Sequence, residues 1–103
     1  MRTLELIKGD ISDLIRAGLQ DGSAMDSNYD CFVAVQGTTI ASEVTDKTDD
    51  NVYFLVQLEP ADTALLRPGS YIMGIRITND TLTPPFSREE QIRLDVIEQV
   101  VVD

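Results

Sequence analysis

The stretch from Val52 to Thr78, VYFLVQLEPADTALLRPGSYIMGIRIT, constrains the fold more than any other part of the chain. Val52, Phe54, Val56 and Leu58 alternate with Tyr53, Leu55 and Gln57. Tyr71, Met73, Ile75 and Ile77 alternate with Ile72, Gly74 and Arg76. Successive side chains of an extended chain point to opposite faces, so both runs predict strands with one core face. Between them lies a crossing with a helical turn over Pro60 to Leu66. Pro68 presets φ for a turn and Gly69 supplies the positive φ that follows, so the chain re-enters a strand at Tyr71. A Tyr placed there predicts a corner in which Tyr71, Pro68 and Gly69 act together. The hydroxyl ties back to backbone between Leu58 and Gly69, and Tyr71 is mostly buried. On that reading Tyr71→Phe costs about 1–2 kcal/mol, because a buried partner is left unpaired.

The remaining chain carries further segments of the same kind. Thr3 to Lys8 predicts a first strand with Leu4 and Leu6 on one face. Ile11 to Leu19 predicts a second, with Ile15, Ala17 and Leu19 on one face and Leu14 and Arg16 on the other. A helix capped by Ser12 is the alternative there, and Gly18 counts against it. Asp21-Gly22-Ser23 marks a turn, and the polar stretch to Asn28 a loop. Tyr29 to Gln36 is the central strand, Thr38 to Val44 a short edge strand, and Thr45 to Asn51 a polar loop. At the carboxy end Ser87-Arg88-Glu89-Glu90 has capping-box spacing that would open a helix. The period-two series Ile92, Leu94, Val96, Val100 and Val102 favours a last strand instead. About seven patterned segments with turn signals between them predict an all-β fold, a single immunoglobulin-like β-sandwich over residues 1–103. The inter-sheet core is expected to hold Leu4, Leu6, Cys31, Val33, Val35, Phe54, Val56, Met73, Ile75 and Ile77.

Composition bounds what such a domain can do. One domain fits 103 residues. The net charge is −10, from 18 acidic and 8 basic residues with no His. Phosphate backbones need clustered Lys and Arg, and anionic lipid repels an acidic surface, so neither nucleic acid nor membrane is an expected partner. Plain solubility is the first reading of such a charge, and a basic patch on a protein partner the second. The single Cys31 rules out an intrachain disulfide and reads as a small core residue. The amino end lacks the apolar core of a leader, and the chain reads as a complete small product folded in a reducing cytosol.

Catalytic and metal-binding patterns are not apparent. Asp46, Asp49 and Asp50 share a loop, but calcium needs six to eight oxygens at fixed spacing and a Gly pivot. The chain offers no His and one Cys to a transition metal, and no cofactor is expected. The pairs Asp49/Asp50 and Glu89/Glu90 point to opposite faces of an extended chain and do not form an acid/base pair. Phe86, reached through Pro84-Pro85, is a candidate anchor for a partner or a plug for the end of the sandwich.

The order of motifs resembles small immunoglobulin-like domains of tailed-bacteriophage structural proteins, including the amino-terminal domain of baseplate upper proteins. The matching features are Lys8-Gly9-Asp10 closing the first strand, Leu19-Gln20-Asp21-Gly22, and the central strand Tyr29 to Gln36. The crossing then carries Leu58, Thr63, Leu66, Gly69 and Tyr71 in the family's spacing. The family pattern has a Gly before its last strand, where this chain reads Ser87 to Gln91. The resemblance implies a non-enzymatic structural or adaptor protein of a virion, in the capsid, neck, tail or baseplate. Such a protein folds in the host cytoplasm and docks on other virion proteins, with a homo-oligomer as one form of assembly. Pro84, Pro85, Phe86, Asp46, Asp49 and Asp50 are the expected contact residues. The alternative is a bacterial accessory domain of the same fold, binding carbohydrate or a cell-surface ligand.

Overall fold

The structure, a computed structural model, describes residues 2–98. Seven strands and one short helix follow in order. They are β1 (Arg2–Ile7), β2 (Ile15–Gly18), β3 (Asp30–Val35), β4 (Ala41–Val44), β5 (Tyr53–Val56), α1 (Pro60–Thr63), β6 (Gly69–Asn79) and β7 (Phe86–Ile97). They form a five-stranded sheet, β1-β7-β6-β3-β4, facing a two-stranded sheet, β2-β5. Only β1 runs parallel to its neighbour, pairing with β7 from Arg2↔Ile92 to Ile7↔Ile97. The chain crosses between sheets from β1 to β2, β2 to β3, β4 to β5 and β5 to β6, which is the immunoglobulin-like sandwich that the alternation predicts. No disulfide is present, and Cys31 is a free, buried thiol.

Every residue of the expected core is buried, and Phe54 is inside while Tyr53 faces out, so the strand register is as the alternation implies. Ile92, Leu94 and Val96 complete the core from β7. The last segment is therefore a strand, and it begins at Phe86, so Ser87 to Glu90 lies in the sheet instead of capping a helix. Val100 and Val102 lie outside the described residues. Burial pushes the Cys31 thiol up to about 11, so it stays protonated and inert at neutral pH.

Two expected strands are shorter than their apolar patterns. Ile11 to Leu14 is not part of β2, because Ser12 is claimed by the crossing. Its N–H donates to the Leu58 carbonyl at 3.0 Å, and its hydroxyl accepts the Leu58 N–H at 2.8 Å. Ile11 and Leu14 are left exposed. The strand expected from Thr38 is paired only over Ala41–Val44. Thr38 instead closes the preceding turn, donating its hydroxyl to the Val35 carbonyl at 2.8 Å.

The corner is in place but more exposed than expected. The Tyr71 hydroxyl donates to the Arg67 carbonyl and accepts the Arg67 N–H, both at 3.0 Å, with Gly69 at a φ of 144° between them. Tyr71 is only half-buried and these bonds lie at the surface, so water can replace a lost partner. Tyr71→Phe is therefore expected to cost about 0.5–1 kcal/mol, the lower end of a hydrogen bond's net worth, in urea unfolding. A cost above that range would mean the hydroxyl is drier than its position implies.

Candidate docking end

Three connections leave the strands at one end of the sandwich. They join β2 to β3, β4 to β5 and β6 to β7. The register places them together, since Gly18 lies opposite Tyr53, Asp30 opposite Thr78 and Asn79 opposite Phe86. The contact residues expected from sequence are therefore gathered at this end: Asp46, Asp49 and Asp50 in one connection, Pro84 and Pro85 in another, and Phe86 at the start of β7. The corner of Tyr71, Pro68 and Gly69 belongs to the β5–β6 crossing, at the opposite end.

The loops are held to one another by backbone groups. The Met25 N–H donates to the Asn51 carbonyl at 2.8 Å, which links the first loop to the second. The Lys47 ammonium donates to the carbonyls of Met25 at 3.3 Å and Asp26 at 3.2 Å, and lies 5.3 Å from the centre of the Phe54 ring. Lys47 is thus turned inward, and its loop shows mainly Asp46, Asp49 and Asp50 to solvent. Asp50 is itself a loop staple, accepting the Thr48 hydroxyl at 2.6 Å and the Val52 N–H at 3.1 Å.

Those bonds, led by the Thr48 hydroxyl, hold the Asp50 carboxyl below its ordinary 3.8. A carboxylate depressed in the folded state stabilises above its ordinary value, and the contribution is lost as pH falls through the depressed one. An NMR titration of the Asp50 carboxyl is expected to give a midpoint below 3.8, and Thr48→Val to move it upward. An unmoved midpoint in that variant would contradict the staple.

Phe86 is a half-buried wall of this end and not the free anchor considered from sequence. It packs edge-on against Tyr29, with ring centroids 6.1 Å apart and planes at 71°. Together with Leu19, Asp21 and Arg88 these rings line an open groove of about 700 Å³. The Arg88 guanidinium donates to the Gly18 carbonyl, which ties β7 to the end of β2. Gly18 is required there, since a Cβ would lie 2.6 Å from the Val52 carbonyl.

The roles of Tyr29 and Arg88 escaped the sequence reading, although one signal was present. Counting back by two from Ile92 puts Phe86 and Arg88 on the core-facing side of β7, and the polar Arg88 and Glu90 hid that phase. Among the described residues, no three His, Cys, Asp or Glu side chains converge as a metal site would need. The sequence matches no protein-family model and no curated protein.

Proposed function

We propose that this chain is a non-enzymatic structural or adaptor protein of a tailed-phage or prophage virion, working by protein–protein docking. The observation that carries the docking part is the loop end itself. It combines a groove walled by Tyr29 and Phe86 with acidic loops beside which Lys47 and Arg88 already donate to backbone carbonyls. Such a surface fits an apolar anchor surrounded by basic groups, with the charge speeding encounter and the apolar centre holding the complex.

The virion setting rests on the motif order, whose residues the fold brings together. Leu58 and Leu66 are buried, and buried Thr63 donates its hydroxyl to the Asp10 carbonyl at 2.6 Å. The Lys8-Gly9-Asp10 turn and the Leu58-to-Tyr71 crossing are thereby one bonded unit. This supports the resemblance as one of architecture, from which the role is inferred.

Mass spectrometry of purified particles from a strain carrying this gene tests the proposal. The chain is expected at a fixed stoichiometry to known virion proteins, with charge reversal at Asp46, Asp49 and Asp50 reducing its incorporation. Particles that lack the chain would overturn the virion reading and give precedence to the surface-ligand alternative.

A further inference from the structure

The outer face of the five-stranded sheet carries Phe32, which is 45% exposed. The register sets two rows of side chains across this face. Glu43, Phe32, Arg76 and Glu89 form one row, and Ala41, Ala34, Gly74 and Gln91 form the next. The second row is low at its centre. Phe32 therefore stands beside a shallow groove of about 330 Å³, floored by Ala34 and Gly74 and walled by Arg76 and Glu89. Arg76 and Glu89 are register partners but form no ion pair, and the one such pair among the described residues is Arg93–Asp95. The Glu89 carboxyl instead leans over Gly74, with an oxygen 3.1 Å from where a Cβ would lie.

A face with a knob in one row and a groove in the next is complementary to itself. A two-fold axis lying across the strands, between the rows, turns each row of one copy onto the other row of a second copy. Phe32 then seats over Ala34 and Gly74 of the second copy. Arg76 comes over the same Gly74, onto the Glu89 carboxylate that leans there. Every contact occurs twice, in the aligned manner of two packed sheets. The other charges of the face do not oppose this arrangement. Asp30 comes opposite Gln36, Glu43 opposite Ala41, and Arg93 opposite Ser87. Glu5 and Asp95 lie opposite each other on β1 and β7, outside the overlap. The net charge of −10 per copy is mostly on other surfaces, and charges more than about 8 Å apart are screened at physiological salt.

We propose that the chain forms a two-fold dimer through the outer face of its five-stranded sheet, each Phe32 seated on Ala34 and Gly74 of the other copy and each Arg76 paired with the other copy's Glu89. The inference goes beyond the docking reading, since it uses neither the loop end nor the virion setting.

Sedimentation equilibrium on the purified chain, from micromolar to millimolar, tests it. The average mass is expected to rise toward twice that of the monomer, and Phe32→Ser to weaken association at least roughly tenfold. R76E and E89R are each expected to stay monomeric, because each sets like charges together across the axis. Mixed in equal amounts, the two are expected to form the dimer again, since an all-acidic pair then meets an all-basic one. Only pairing between copies gives that rescue, whatever either change does to the stability of its own chain. Concentration-dependent amide shifts are expected at Phe32, Ala34, Gly74 and Glu89.

A monomer at millimolar concentration would overturn the dimer. Unchanged association in Phe32→Ser would overturn the seat, and no rescue on mixing would overturn the charge pairing. Charge reversal at Asp46, Asp49 and Asp50 is expected to leave the dimer intact. Its loss in that variant would move the contact to the loop end and overturn this face. A monomeric chain that is present in particles removes only this inference. A dimer that is absent from particles removes only the virion setting.

Discussion

Phe54→Ala is expected to destabilise the domain by about 3–5 kcal/mol, the range for deleting a fully buried Phe. Total stability for domains of this kind is about 5–15 kcal/mol, so the variant loses a large share of it. Phe54 is 1% exposed and sits in the smaller sheet, opposite Ala17 on β2. That small partner leaves the ring to fill most of the space beneath the sheet, and neither strand can collapse into the cavity without breaking the β2–β5 ladder. The ring also carries the Lys47 ammonium on its face, so truncation loosens the acidic loop from below. Urea unfolding is expected to show a lowered midpoint with an unchanged slope. Tyr53→Ala, at a residue 39% exposed, provides the control. A larger loss at Tyr53 than at Phe54 would mean that the strand is turned over.

Two adjacent leucines in the crossing are expected to behave oppositely. Leu66 is 0% exposed, and Leu66→Ala is expected to cost about 2–5 kcal/mol. Leu65 is 66% exposed, and Leu65→Ala is expected to stay within about 0.5 kcal/mol of the parent. The difference follows from α1. Its carbonyls at Asp62 and Thr63 accept the N–H groups of Leu65 and Leu66 in a tight final turn. Thr63 is anchored inward by its bond to the Asp10 carbonyl, which directs Leu66 into the core three residues later. Equal costs at both leucines would show that the helical turn is not held in this orientation.

Alternation made the sandwich legible because each strand has a buried face, and one face is what a period of two records. It could not show where pairing stops. Ile11 and Leu14 continue the apolar pattern of β2, yet the two bonds between Ser12 and Leu58 hold that segment off the ladder. Met25 and Ile40 are buried from loops, where no periodicity marks them. The contact loops were recognisable by charge and by Pro84-Pro85-Phe86. The partnership of Phe86 with Tyr29 was not, because it arises from strand order and brings together residues far apart in the chain.

Cryo-electron microscopy of the particle tests the central claim most directly. The account predicts density for this sandwich at symmetry-related positions, with the end bearing Tyr29, Phe86 and Asp46 to Asp50 against a basic surface of a neighbouring virion protein. A fully interpreted particle with no density for this fold would contradict the account, and so would one in which the loop end faces solvent.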